Sequence, residues 1–419
     1  MSPVTPLHVR SFRTLRRNNP FRVLGEHRNF RLFWFGQTLS LIGTWMQTMA
    51  TGWLALELTN NAFLVAFVGV VGALPILVLS LHAGVVVDRA DKLKIVKVMQ
   101  SLMLCEAATL WAFTATGHIT IGWLLALSAL NGLFSSFEIP ARQAMIVELV
   151  GREDLPGAIA LNSSGFNLAR IVGPAIGAIV IRTGGISWCF ALNALSYLAV
   201  LVGLFMMRLP KYLRPESTST RAEAIAEGIR FMFGTRRVRV LMVLITAFSI
   251  FGIPYLALMP VIARDLLHTG AAGYGTLLTA VGIGGLGGAL FLAAVGQRVR
   301  RGRLLAWGSF AYAALLLVFS QTRSVRAAWP LLLLIGCAMI FNGALSNAIL
   351  QELVPDEFRG RLMAAYSFVV VGLSQVVGNF TAGVIARAFD ADYAVAAGAV
   401  VMLGFAWWTF MRHPDLRSL

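Results

Sequence analysis

Between Asn29 and Arg412 the chain is a succession of apolar runs of 20 or more residues, separated by short clusters of charged and turn-forming residues. A helix needs about 20 mostly apolar residues to cross a bilayer. In lipid every backbone N–H and C=O must be satisfied within the segment, which selects helices for such runs. They fall near 30–58, 62–87, 94–117, 119–141, 157–182, 186–208, 238–264, 273–297, 303–322, 327–351, 361–387 and 391–411. Composition agrees: 58% of the 419 residues are apolar and 13% charged, against roughly 45–50% and 25% in soluble domains. A soluble enzyme of this size would lack the charge to solvate its surface. The expected fold is an all-α polytopic membrane protein with 12 transmembrane helices, and an even number puts both termini on one side.

The basic residues choose that side. With a cytoplasmic N-terminus, 29 of the 35 Lys and Arg residues fall on cytoplasmic segments. Five lie outside, namely Arg182, Arg264, Arg323, Arg326 and Arg387, and Arg170 lies within a span. The positive-inside rule then predicts cytoplasmic termini in a multi-pass protein of the cytoplasmic (inner) membrane. The same asymmetry accounts for the net charge of +16 without a nucleic-acid partner.

The expected organisation is a basic N-terminal segment (1–28), a six-helix bundle (29–208), a cytoplasmic linker (209–237), a second six-helix bundle (238–412) and a short tail (413–419). The first segment carries six arginines but no apolar core, so no signal peptide is expected. In the linker, Thr220 and Glu223 have capping-box spacing ahead of Ile225, Ile229 and Phe233, which predicts an amphipathic surface helix. Cys105, Cys189 and Cys337 all sit in apolar runs without metal-ligand spacing, as packing residues do.

The two bundles echo one another. Asn131-Gly132 with Ser135 in span 4 matches Asn342-Gly343 with Ser346 in span 10, at an offset of 211. Glu148-Leu149-Val150 matches Glu352-Leu353-Val354 at an offset of 204, which implies seven extra residues in the first half. Duplicated six-helix units are used by secondary transporters, with the substrate site between the halves. Span 8 contains Gly282, Gly284 and Gly287 in the G-x-G-x-x-G spacing of dinucleotide-binding loops, but it has neither the preceding strand nor the following acidic residue. Close helix packing explains these glycines better.

The loop after span 2 reads Gly84, Asp88, Arg89, Ala90, Asp91, Lys92, Leu93. It resembles the G-x-x-x-D-R-x-G-R-R signature of the major facilitator superfamily, with Gly84, Asp88, Arg89 and Lys92 matching. Asp91 stands in place of the second Gly and Leu93 in place of a basic residue. The resemblance implies that this loop latches the cytoplasmic gate, Asp88 facing the start of span 11; a carboxylate near a helix N-terminus is favoured physically as well. In span 5, Gly173, Pro174 and Gly177 resemble the G-P-x-x-G element of the superfamily's exporters and antiporters. Pro174 bends the helix and the glycines admit a close neighbour; a plain packing kink is the competing account. Three further stretches narrow the likeness: Asn29-Phe30-Arg31-Leu32-Phe33 before Gly36-Gln37, Trp45-Met46-Gln47, and Pro140-Ala141-Arg142-Gln143-Ala144. With Asn167-Leu168-Ala169-Arg170, they are similar to the siderophore- and macrolide-exporter branch, the transmembrane secretion effectors. No basic residue occurs in span 4 from Asn131 to Phe137, where many proton antiporters of the superfamily carry one.

Ionisable groups deep in a span are costly and face a cavity or a partner. Arg170 is expected near the midplane, either anchoring an anionic or carbonyl-rich substrate or gating, or else tying helices together. Glu106 lies at similar depth in span 3, where it either pairs with Arg170 or carries a proton. Glu57 and Asp265, near the outer ends of spans 1 and 7, are further proton-coupling candidates or rim residues. Glu138 and Arg142 are spaced for an i, i+4 salt bridge. If spans 1, 4, 7 and 10 line the cavity, as the resemblance implies, then Gln37, Trp45, Gln47, Asn131, Tyr255, Met259, Asn342 and Asn347 join Arg170 as candidate substrate contacts. Thr48, Met46 and Met49 extend that lining.

The expected function is export of an amphipathic small organic molecule, siderophore-, macrolide- or drug-like, by alternating access with proton coupling. The alternatives are a proton-coupled importer of a small metabolite, or a lipid-handling or partner-binding membrane protein. No Walker-type phosphate loop is present, and His8, His27, His82, His118, His268 and His413 all lie near ends or loops without a cluster of Cys or carboxylates. No enzyme activity, cofactor or metal is expected. The partners are a small-molecule substrate, the lipid bilayer and protons, and the chain is expected to act as a monomer.

Overall fold

The computed structural model describes residues 21–207, 234–295, 299–355, 362, 366 and 368–418, with the side chains of Leu81, Asp88, Val371 and Ser418 left out. The linker cap Thr220 and Glu223 lies outside the described residues. After a short helix, Arg22–Glu26, come α1 (Arg28–Thr59), α2 (Ala62–Arg89) and α3 (Lys92–Ala115). The helix Ile121–Gly184 is 64 residues long and is broken at Gly151, whose φ of 72° and ψ of 178° are not helical. It therefore consists of α4 (121–150) and α5 (152–184). The first half ends with α6 (Ser187–Met206).

The second half comprises α7 (Arg236–Leu266), α8 (Ala271–Val295), α9 (Arg301–Ser320), α10 (Val325–Leu353), α11 (Phe368–Phe389) and α12 (Ala391–Arg412). No strand occurs among the described residues. Among the described residues, ten helices are long and apolar enough to cross a membrane, α4 and α5 counting once as Ile121–Gly184. That helix would span roughly 96 Å at 1.5 Å per residue, more than three times the roughly 30 Å hydrocarbon thickness, so its break at Gly151 has an obvious use. The 32-residue α1 is not among the ten, because Gln37, Ser40, Thr44, Gln47 and Thr48 dilute its hydropathy.

Local chemistry sets the helix ends. Asn61 accepts hydrogen bonds from the Phe63 and Leu64 amides to open α2, and Asp91 accepts one from the Lys94 amide at 3.1 Å to open α3. Asp91 thus replaces the signature's glycine by an N-cap, and its φ of −65° needs no glycine. Both α7 and α11 contain π-helical turns, at Phe248–Gly252, Ile262–Leu266 and Phe368–Gly378; such turns concentrate at functional sites.

The apolar core is shared at one end of the molecule and divided at the other. One cluster unites Met49, Trp53, Leu124 and Phe190 of the first half with Leu258, Tyr274, Leu332 and Ala391 of the second. At the opposite end, Phe30, Val96, Met145 and Leu204 belong to a cluster of the first half alone. Val238, Leu305, Ile349 and Phe410 belong to one of the second half alone. Across the halves, α5 packs on α8 and α2 on α11.

Glycines permit both crossings. A Cβ on Gly275 would lie 2.8 Å from the Pro174 carbonyl oxygen, and one on Gly282 2.8 Å from Ile171 Cγ1. Of the dinucleotide-like spacing in α8, Gly282 packs on α5 and Gly284 on α10, while Gly287 meets nothing within 4 Å. The neighbouring Gly285 and Gly288 also pack, Gly285 on both α5 and α10 and Gly288 on α10.

The internal repeat is visible as paired contacts. Lys92 at the start of α3 bonds Glu148 at the end of α4, at 2.5 Å, and Arg301 at the start of α9 bonds Glu352 at the end of α10. The seven extra residues expected in the first half are not an insertion, because α4 and α10 are of nearly equal length. Instead the Asn-Gly echo lies at two depths: Asn131 is 17 residues before its ion-paired glutamate and Asn342 only 10, about 10 Å apart along the helix axis.

Candidate transport site

Arg170 lies near the middle of α5 and reaches into the other half. Its Nη2 comes 3.1 Å from where a Cβ on Gly285 would stand, beside Ile340 on α10, and Tyr255 and Tyr312 lie within electrostatic range of the guanidinium. Among the described residues, the buried Nη2 has no hydrogen-bond partner, and the Tyr255 hydroxyl is in the same condition. Tyr312, by contrast, donates to the Gly252 carbonyl at 2.8 Å. Pro174 contributes directly, since it has no N–H for the carbonyl of Arg170 four residues earlier. Gly173 brings α5 against α1, where a Cβ would sit 2.8 Å from the Ile42 carbonyl, and Gly177 abuts Met49.

Glu106 belongs to a separate network inside the first half. Gln47 Nε2 donates to both of its carboxylate oxygens at 3.3 Å, and Asn131 Nδ2 donates to one at 3.2 Å. Glu106 is 5% exposed and makes no ion pair among the described residues, so the pairing with Arg170 considered from depth is absent. Behind Gln47, Asn193 Nδ2 donates to its Oε1 at 2.7 Å, and Ser196 donates to Asn193 Oδ1. Four helices, α1, α3, α4 and α6, thereby converge on one carboxylate.

Other predicted contacts are engaged elsewhere. Asn342 accepts from Ser309 at 2.6 Å, Met259 is fully buried in the shared core, and Asn347 accepts from Gln351. Gln37 is buried with Oε1 unpartnered. Trp45 is half-buried and packs edge-on against Phe166, with ring centroids 5.7 Å apart, and Thr48 is exposed. Glu138 bonds Arg142 at 2.8 Å as expected, and Gln100 joins it at 3.1 Å.

In the signature loop, Lys92 is tied to Glu148, Gly84 lies within α2 and Arg89 is exposed. The Asp88 side chain and residues 356–361, 363–365 and 367 ahead of α11 lie outside the described residues. At the opposite end, Glu57 accepts the Trp53 indole N–H at 2.6 Å, and Asp265 pairs with Arg264. Asp265 also lines a charged cleft of about 610 Å³ with Arg323, Arg387, Asp390 and Asp392.

The histidine reading needs one correction. Glu26, His27 and Asp154 bring their ligand atoms within 4.8 Å of one another. The break at Gly151 folds the start of α5 back on the N-terminus, which no local spacing announces. Each group has a bond of its own: Glu26 to Arg22 at 2.6 Å, and His27 to Asp154 at 2.8 Å. Asn193, Ser196 and Gln100 were missed for a related reason, as neutral polar residues within apolar runs carry no sign of their partners. The one available signal was that polar groups buried in a bundle must bond to something.

Known proteins give the same picture. Residues 19–418 match the family model described as transmembrane secretion effector. The staphyloferrin A transporter of Staphylococcus aureus is 25% identical over 80% of this chain and 84% of its own length. The multidrug efflux pump Tap of Mycolicibacterium fortuitum is 25% identical over 90% and 94%, and macrolide efflux protein A of Streptococcus pyogenes 22% over 80% and 84%. Among solved structures, a D-xylose–proton symporter superposes with a TM-score of 0.70 at 14% identity, covering 90% of this chain and 97% of its own. A bacterial homologue of the human lysosomal transporter Spinster, in an inward-facing and unoccupied conformation, gives 0.70 at 12%, covering 93% and 96%. With two helical halves around an interfacial arginine and a family match over nearly its whole length, the chain is a multi-pass membrane transporter of the transmembrane secretion effector family, within the major facilitator fold.

Proposed function

We propose that this transporter exports an amphipathic small organic molecule across the cytoplasmic membrane by alternating access, coupled to protons. The observation that carries the reading is the divided core. The halves are joined at one end and separate at the other, with a cation of the first half lodged against the second. Twelve crossings follow from counting α1 and treating α4 and α5 as two. With 29 basic residues on the side of the termini, the separated end is cytoplasmic and the conformation is inward-facing. Substrate then enters from the cytoplasm, contacts Arg170 and Trp45, which packs against Phe166 and Gly173 on the same helix as Arg170, and leaves when the shared core parts. The relatives named as efflux pumps support the outward direction. Glu106, buried with two amide donors and no cation among the described residues, is the coupling group best placed for a proton. The transport unit is a single chain, because the site lies between its own two halves. Asp88 latches the inward end in the opposite conformation, as the family signature implies.

Everted vesicles test this directly. Energised vesicles accumulate labelled siderophores, macrolides or dyes, a protonophore abolishes the accumulation, and Arg170→Ala and Asp88→Asn reduce it. Accumulation only in right-side-out vesicles would overturn export. In Glu106→Gln the pH dependence of transport flattens; an unchanged profile removes Glu106 as the proton carrier.

A further inference from the structure

We infer that the Arg170–Tyr255 locus binds an anionic oxygen, so that the transported molecule carries a carboxylate or a comparable acidic oxygen group. This rests on the reading of the interface between the halves as the substrate site, and it names the chemistry of that site. Two buried polar atoms there lack partners among the described residues, Nη2 of Arg170 and the hydroxyl of Tyr255. A guanidinium N–H only donates, and a phenol donates readily, so the group that satisfies both at once is an acceptor.

Charge narrows the class further. Arg170 makes no ion pair among the described residues, and its surroundings on α8 and α10 are Gly285 and Ile340. A guanidinium in such a place is costly unless a charge opposes it. A neutral carbonyl would satisfy the hydrogen bonds but not the charge, and a cationic amphiphile would add repulsion. Charge-assisted bonds from a planar guanidinium to a carboxylate are also the stronger kind. Tyr255 is 3% exposed and Nη2 of Arg170 is buried, while Arg170 as a whole is only partly buried, so a ligand reaches the pair by way of the accessible part of the Arg170 side chain. Glu106 is already held by Gln47 and Asn131 and does not serve as the internal counter-ion. The remaining half of the substrate meets Trp45 and Phe166, which suits an aromatic or otherwise apolar body.

The test uses the purified full-length protein and two xanthene dyes, carboxyfluorescein as the anion and a cationic rhodamine ethyl ester. Fluorescence polarisation gives both affinities for the native chain, Arg170→Gln, Arg170→Lys and Tyr255→Phe. The native chain is expected to bind carboxyfluorescein in preference to the rhodamine ester. Arg170→Gln should weaken the anion at least about tenfold and Tyr255→Phe several-fold, in line with the value of hydrogen bonds to charged groups. Arg170→Lys should recover part of the loss, because it restores charge without the planar fork. Tyr255→Phe keeps the shape of the site and remains informative if Arg170→Gln does not fold. Tighter binding of the rhodamine ester, equal anion affinity in the Arg170→Gln and Tyr255→Phe variants, or no binding of either dye overturns the inference. Arg170-dependent binding without uptake into everted vesicles would instead overturn export and leave the anion site standing.

Discussion

Asn193 donates its amide N–H to Gln47 Oε1 at 2.7 Å, and that bond decides which end of the Gln47 amide faces Glu106. With the oxygen held from behind, the Gln47 NH₂ group is the end that meets the carboxylate. Asn193 is fully buried and sits on α6, three helices along the chain from the α3 that carries Glu106, and it acts on the carboxylate through Gln47.

Removing Asn193 should therefore be felt twice. Asn193→Ala leaves Gln47 Oε1 buried without a donor, at a cost of about 1–3 kcal/mol, and frees the amide to turn its oxygen towards Glu106. A lower unfolding temperature is expected, together with a changed pH dependence of transport. A variant as stable as the native chain and with its pH profile would refute this account of the network.

The α8 glycines separate packing from any other role. A Cβ on Gly284 would lie 1.8 Å from the Leu333 carbonyl oxygen, whereas nothing lies within 4 Å of one on Gly287. Gly284→Ala must push α8 and α10 apart and should cost about 1–3 kcal/mol or more. Gly287→Ala should be neutral or stabilising by up to about 1 kcal/mol, since alanine is the better helix former. Thermal unfolding of the two variants decides it, and equal midpoints would contradict the packing account.

These residues also mark what was legible in the chain. The helical runs and the Glu138–Arg142 pair were local patterns, and they reappear in the fold. Arg170 and Glu106 stood out because charge inside an apolar run is rare. Their wider surroundings did not: Asn193, which reaches Glu106 through Gln47, and Gly285, beside Arg170, are ordinary residues brought in by tertiary contact, across 87 and 115 positions of chain respectively. The Asn131 and Asn342 echo misled for the same reason, as likeness in sequence does not report depth in the bundle. The π-helical turns of α7 and α11 had no signature at all, because they arise from how those helices are packed.

The repeated ion pairs should differ in strength. The Lys92 and Glu148 side chains are 10% and 35% exposed, against 34% and 59% for Arg301 and Glu352. Exposed pairs couple weakly and partly buried ones more strongly. A double-mutant cycle with Lys92→Ala and Glu148→Ala should give a coupling near 1 kcal/mol, and one with Arg301→Ala and Glu352→Ala less than about 0.5 kcal/mol. The reverse order would show that the two loops are not held by the same means.

The turn before α12 stores strain that its counterpart avoids. Gly185, before α6, has a φ of 90° and ψ of 169°, while Asp390 takes a φ of 79° and ψ of 164° at the matching turn. That region is open essentially to glycine alone and costs other residues of order 1–3 kcal/mol. Asp390→Gly should raise the unfolding temperature, with a net gain of about 1 kcal/mol after the added freedom of the unfolded chain. A drop in stability would mean that the Asp390 side chain contributes more than its backbone costs.

An aromatic stack crosses between the halves at their joined end. Trp53 of α1 stacks on Tyr274 of α8, with centroids 6.0 Å apart and an interplanar angle of 24°, and Glu57 holds the indole N–H. Such a pair contributes about 0.5–1.5 kcal/mol beyond its buried area. If outward opening separates these rings, Trp53→Ala destabilises the inward-facing state selectively and raises the outward-facing population by roughly three- to tenfold. Ala386, 4% exposed beside the charged cleft, offers a reporter. In a background lacking Cys105, which is exposed, Ala386→Cys should react with an impermeant maleimide several-fold faster when Trp53 is replaced by alanine. Because the reagent enters only from the outer face, an unchanged rate would place the outward-opening movement somewhere other than the Trp53–Tyr274 contact.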